Sequence, residues 1–257
     1  MKKEALKNRF LHYAASFKNN IDEVDVNVQL KIDHTFRVLE EAQQLSKAEN
    51  FSEKECRLLE CAALLHDLSR FEQFSRFETF NDAVSFNHGE YSYRLAEEQN
   101  WIPETFSETE KQTVLTAIRY HNKKLIPENI TAEEFKILAA LRDADKTDIF
   151  KILLEHLKNP ENSAIVYKLS DRPCVSEKVA AAISENRSPD TAELKTKLDF
   201  NAAKFAWGFD LNYGWTCREF LKREYMQKLR SALPEQPEML DRCLEQVLKF
   251  MQQKGKV

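Results

Sequence analysis

The chain has 257 residues, 42% hydrophobic and 31% charged, enough to bury a sizeable core in one large domain or one domain with an appended helical segment. Only 4 glycines are present, far below the usual ~7%. A Rossmann or P-loop site needs several glycines in one short loop and a β-rich chain needs many at its turns, so both classes fit poorly.

A formal net charge of −4 provides no basic footprint for a nucleic-acid groove. No uninterrupted apolar run approaches the roughly 18 residues of a membrane span. The opening Met-Lys-Lys-Glu-Ala-Leu-Lys meets no apolar h-region, so no signal peptide is expected. Five cysteines, an odd number without CxxC spacing, read as reduced thiols in a cytoplasmic protein.

Apolar residues recur at helical spacing almost throughout. Residues 1–26 read as an N-terminal helical segment, followed by a helix over about 27–48. Ser52-Glu53-Lys54-Glu55 is a capping box that opens a helix with Cys56, Leu59, Ala63 and Leu65. Residues 69–87, rich in Phe, Arg and Asn, read as an ordered loop or short helix over a pocket, and a further helix runs from about 88 to 99. Ser107-Glu108-Thr109-Glu110 repeats the capping box before Val114, Leu115 and Ile118. Thr131-Ala132-Glu133-Glu134 does so again, with Ile130 and Phe135 placed as a hydrophobic staple.

Beyond residue 150, Pro160, Pro173 and Pro189 cut the chain into shorter pieces, and a helical pair is expected over about 191–231 and 237–253. No internal repeat is apparent. Trp207, Phe209, Tyr213 and Trp215 read as packing, with any exposed subset marking a homodimer contact.

The residues that carry chemistry are His34, His66-Asp67, His88, His121 and Asp145, each on or beside a different helix. Leu59, Ala62 and His66 follow i, i+3, i+7, as do Val114, Ala117 and His121, and Leu138, Leu141 and Asp145; Leu30, His34 and Val38 are spaced by four. The four positions therefore face the interior. Buried carboxylates at Asp67 and Asp145 need a counter-charge, which a divalent cation with neutral imidazoles supplies. Adjacent residues on a helix diverge by about 100°, so His66 and Asp67 reach one ion only near a helix end. Taken singly, a histidine on an apolar face is more often a hydrogen-bonded core residue; His12 and His156 have no supporting partner in the sequence and are read as ordinary residues.

Leu64-Leu65-His66-Asp67-Leu68 resembles the signature of the HD superfamily of metal-dependent phosphohydrolases, and His34-Thr35-Phe36-Arg37-Val38 and Ala144-Asp145-Lys146 resemble its first and last ligand motifs. The resemblance implies an all-α fold, an HD-domain-like helical bundle with a C-terminal helical extension: a core over 27–155 and an extension over 156–257 packing on it. It also implies that His34, His66, Asp67 and Asp145 bind one divalent metal. Asp145 is favoured over Asp143 because it matches the Ala-Asp step. His88 and His121 resemble the additional histidines of two-metal subfamilies such as the HD-GYP cyclic-dinucleotide phosphodiesterases. Tyr120-His121-Asn122-Lys123 lacks the second consecutive His and the Gly-Tyr-Pro segment of those enzymes, which argues against cyclic-dinucleotide cleavage.

The expected activity is hydrolysis of a phosphoester of a small metabolite, a nucleotide, by metal-activated water, Asp67 belonging to the catalytic group. Arg37, Arg70 and Lys146 are the candidate phosphate-binding cations, and Asp82 or Glu90 would hydrogen-bond a ligand histidine or the water. Mixed imidazole and carboxylate ligands suit Mn, Fe, Co, Ni or Zn over Mg or Ca, with one ion and room for a second. No nucleic-acid or membrane partner is expected. The competing readings are a non-catalytic HD-type ligand or metal sensor and an inert helical scaffold.

Overall fold

The computed structural model describes residues 3–158, 169–172, 174–234 and 238–256. Among them no strand occurs; one isolated parallel bridge joins Ser170 to Thr196. The fold is all-helical, and the chain divides into two compact units, Met1–Asp148 and Ile149–Val257.

In the first unit α1 (Lys3–Ala15), α2 (Asp22–Ala48), α3 (Glu53–Leu65), α4 (Ser69–Phe77), α5 (His88–Glu98), α6 (Glu108–Tyr120) and the first part of α7 (Ala132–Lys158) follow one another. Helix α2 packs on α3, α3 on α6, and α5 on both α4 and α6. Their interior faces bury Val38, Leu45, Leu59, Ala62, Leu65, Val114, Ala117, Ile118, Leu138 and Leu141. These are the positions that a 3.6-residue period places on one stripe of each helix.

Local chemistry sets the boundaries. Ser52 and Ser107 close capping boxes with Glu55 and Glu110, and Thr131 exchanges the same pair of bonds with Glu134, at 2.7 and 3.2 Å. The staple expected beside Thr131 does not bury its outer member: Phe135 is 46% exposed. Helix α2 begins five residues before the expected start. Its first turn, Asp22-Glu23-Val24-Asp25, carries acids that suit a helix N-terminus, with no apolar stripe to mark it. The stretch 69–87 resolves into α4 and a short 3-10 turn, Asp82–Val84. Glu78 ends α4 in a left-handed conformation, φ 51°. Phe71 and Phe74 are core, whereas Phe77 is 38% exposed.

The second unit contains the end of α7, α8 (Glu177–Ser184), α9 (Lys197–Ala202), α10 (Lys204–Trp207), α11 (Gly214–Lys222), α12 (Tyr225–Ser231) and α13 (Met239–Lys254). Its core gathers Phe150, Leu154, Val179, Ile183, Phe205, Phe220, Tyr225, Leu229, Val247 and Met251. The single helix expected over 191–231 is instead four short ones, because backbone conformation interrupts it. Leu211 is extended (ψ 136°) and Glu224 is left-handed (φ 55°). Upstream, the Asp199 carboxylate accepts from the amides of Ser176, Lys195 and Thr196, which fixes the start of α9. Trp207 and Phe209 pack against this core, and Tyr213 and Trp215 are half-buried. The chain breaks expected at Pro160 and Pro173 lie outside the described residues. Among the described residues no helix is long and apolar enough to cross a membrane.

Candidate metal centre

Helices α3 and α6 place their histidines by the same device. Each has 13 residues, starts at a serine capping box, and ends with a histidine as C-cap, His66 or His121. The last carbonyls of a helix lack intrahelical donors. The imidazole answers one of them: Nδ1 lies 2.8 Å from the carbonyl of Ala63 in His66 and 2.7 Å from that of Ile118 in His121. The C-cap position also gives Asp67 the helix end it needs to face the same centre as His66.

His34 and His88 are anchored by carboxylates instead. Nδ1 of His34 is 2.7 Å from Asp148 Oδ2, and Nδ1 of His88 is 2.6 Å from Asp82 Oδ2. His88 opens α5 behind Asn87, whose side chain caps the helix. At Gly89 α5 comes close to the end of α6: a Cβ there would lie 3.2 Å from the Arg119 carbonyl and 2.5 Å from Asn122 Oδ1 just beyond the helix. In all four rings a carbonyl or carboxylate faces Nδ1, which places the proton of a neutral imidazole there and turns the Nε2 lone pair inward; that of His88 also meets Arg70 Nη2 at 3.3 Å.

Those four lone pairs converge on Asp67. Nε2 of His34 and His66 lie 3.5 and 3.8 Å from its Oδ2; Nε2 of His88 and His121 lie 3.6 and 4.0 Å from its Oδ1. Asp145 Oδ1 is 3.2 Å from His34 Nε2 and 3.8 Å from His66 Nε2. The nitrogens face each other across 3.4 Å (His34–His66) and 3.1 Å (His88–His121). Ligands bound at about 2.0–2.2 Å to one transition-metal ion stand roughly 3.0–3.5 Å apart. Two groups have donor atoms close enough to hold an ion: His34, His66 and Asp145, and His66, Asp67 and His121.

The electrostatics suit a cation. Burial holds the pKa of His66 and His88 below the ordinary histidine value, and burial with the neighbouring His88 and His66 brings His121 down to about 3. Burial also opposes charge on His34, but its bonds to Asp145 and Asp148 outweigh that and raise its pKa. Burial would raise Asp67 and Asp145. Lys31, His66 and Arg70 reverse this for Asp67, and His34 and His66 for Asp145, so both stay ionised. Three imidazoles that burial keeps neutral, beside ionised carboxylates, are in the protonation states that metal binding requires, and His34 would release its proton on joining them. These residues fit a divalent ion.

The other expected residues fall around this centre. Arg37 is held on Asp148 through Nε (2.5 Å) and Nη2 (3.1 Å), and so braces the anchor of His34. Arg70 Nη1 binds Gln73, the Phe80 carbonyl and Asp82, with Nε 3.5 Å from Asp67 Oδ1. Lys146, next to Asp145, is buried, as is Asp143. Glu90 is occupied by Arg119 and Lys123 at 3.0 and 2.9 Å, not by a histidine. Sequence reasoning missed Asp148 and Lys31, whose Nζ is 2.9 Å from Asp67 Oδ2. The available signal was spacing: Asp148 lies three residues after Asp145, and Lys31 three before His34, each on the same helix face as a ligand.

No curated protein and no solved structure matches the chain at a significant level. The model of the HD domain family matches residues 32–199, well over half of the sequence and including every histidine and carboxylate of the centre. The chain belongs to the HD domain family.

Proposed function

We propose that the protein is a metal-dependent phosphohydrolase acting on a phosphoester of a small metabolite, a nucleotide. His34, His66, Asp67 and Asp145 would hold one ion, and Asp67 with His88 and His121 would hold a second. The reading is carried by the inward Nε2 atoms. Nε2 of His88 and His121 face each other at 3.1 Å beside Asp67, a pairing of acceptors that a shared cation would relieve, and Arg70 Nη2, 3.3 Å from His88 Nε2, meets only one of the two. Imidazole mixed with carboxylate favours Mn, Fe, Co, Ni or Zn.

A bound divalent cation supplies two things, a coordinated water whose pKa falls towards ~7 and charge compensation for the phosphoryl oxygens. The chain's own residues do the rest. The Nδ1 anchors hold each imidazole in one tautomer and orientation. Arg70, whose Nη1 is held among three acceptors beside Asp67, presents a positive field to an approaching phosphate.

The test is elemental analysis of untagged protein, followed by a panel of nucleotides and other phosphoesters with added Mn or Fe. Bound transition metal with turnover of a phosphoester is the expected result. Metal without turnover on any member would leave a binding module, and protein that takes up no metal would overturn the proposal.

A further inference from the structure

Each oxygen of Asp67 is matched by one side-chain cation as well as one imidazole pair. Lys31 Nζ sits 2.9 Å from Oδ2 and Arg70 Nε 3.5 Å from Oδ1. Both cations lie over the same ring, Phe80, at 5.1 and 5.8 Å from its centroid. Their restraint differs. Arg70 is bonded to Gln73, Asp82 and a backbone carbonyl. Among the described residues, the Lys31 ammonium makes its one hydrogen bond to Asp67.

An ammonium on a flexible four-carbon stem therefore occupies an oxygen that the metal reading assigns to an ion. A dication near Oδ2 both removes the attraction that holds Lys31 there and repels it. The side chain is only 13% exposed, so it cannot simply swing into bulk water and will seek another anion nearby.

We propose that Lys31 is a latch cation. It neutralises buried Asp67 while no ion is present and moves to an oxygen of the phosphoryl group when one is. This rests on the phosphohydrolase reading above and adds to it a specificity-determining residue on α2 with two successive partners. Lys31 thereby acts on metal and anion in opposite senses, competing with the metal for Asp67 and attracting the anion. Removing it leaves Asp67 less compensated, so a cation binds more tightly, while an anion loses a partner. Loss of local structure would weaken both.

The experiment uses the full chain, stripped with a chelator, titrated calorimetrically with Mn²⁺ and then, once loaded, with inorganic phosphate. Lys31→Met is expected to bind Mn²⁺ roughly tenfold more tightly and phosphate roughly tenfold more weakly. Lys31→Arg, which keeps the charge, stays close to the unmodified protein in both. Lys31→Gln repeats the comparison should the methionine variant not fold. Weaker Mn²⁺ binding or unchanged phosphate binding in the neutral variants overturns the latch alone. An unmodified chain that binds no Mn²⁺ overturns the phosphohydrolase reading and the latch together.

Discussion

The four imidazoles are oriented by what their outer nitrogens touch. Two use helix-end carbonyls and two use carboxylates, and only the latter can be altered by substitution without deleting a ligand. Asp148→Asn keeps the size of the His34 anchor but loses its charge and its grip on Arg37; metal affinity measured by competition with a chelator should fall about tenfold or more. An unchanged affinity would show that His34 is positioned by packing alone. His66→Ala and Asp67→Ala should strip most of the metal and any phosphohydrolase activity while circular dichroism retains the helical signal. Undiminished metal content in both would refute the ligand assignment. The candidate residues His34, His66, His121 and Asp145 were legible in the sequence because each shares a helical face with core residues. Asp148, Lys31 and Arg37 were harder to place, since charged residues one turn from a ligand look the same whether they brace it or lie in water.

Helices α3 and α6 show how an element becomes part of a site. Their shared plan, a serine cap, 13 residues and a histidine at the C-cap, delivers two Nε2 atoms at the same offset from two capping boxes. The pattern is short and its intervening residues differ, so it does not stand out as a repeat in the sequence. Ser107→Ala removes the side-chain acceptor for the Glu110 amide and should cost about 1 kcal/mol in denaturant unfolding. In the second unit a Cβ at Gly208 would come within 2.2 Å of Val247 Cγ2 and 2.7 Å of Met251 Cε. Gly208→Ala should therefore destabilise by about 1–3 kcal/mol through overpacking. A neutral result would mean that α13 shifts freely to make room. Capping boxes were readable because each is set by two residues three apart. The breaks within 191–231 were not, because Leu211 and Glu224 adopt conformations that their side chains do not announce.

For the molecule as a whole, the buried centre links stability to pH. His66, His88 and His121 have folded pKa values below the ordinary 6.5. The unfolded chain then binds protons more readily, so their contribution is complete above 6.5 and drains away as pH falls from there, towards about 3 for His121. His34 acts in the opposite sense: its raised pKa contributes below 6.5 and is lost as pH rises through the folded value. Three lowered groups against one raised predict that chelator-treated protein melts at progressively lower temperature from pH 7 to pH 5. A flat or rising melting temperature over that window would contradict the balance. Adding back Mn²⁺ at pH 7 should raise it, because an ion that binds only the folded state stabilises by mass action.

By itself the sequence determined the helical class, the starts of three helices and the four-part histidine and aspartate pattern, because glycine content, caps and apolar stripes are properties of neighbouring residues. Tertiary structure decided which charges meet. Asp67 receives Lys31 from α2, Arg70 from α4 and four imidazoles from four different helices, one from within α2 and three from the ends of α3, α5 and α6, and only the packing of those helices brings them within 4 Å of its oxygens. Coulomb forces and hydrogen bonds depend on distance in space, and along a chain of this length that distance is set by the fold.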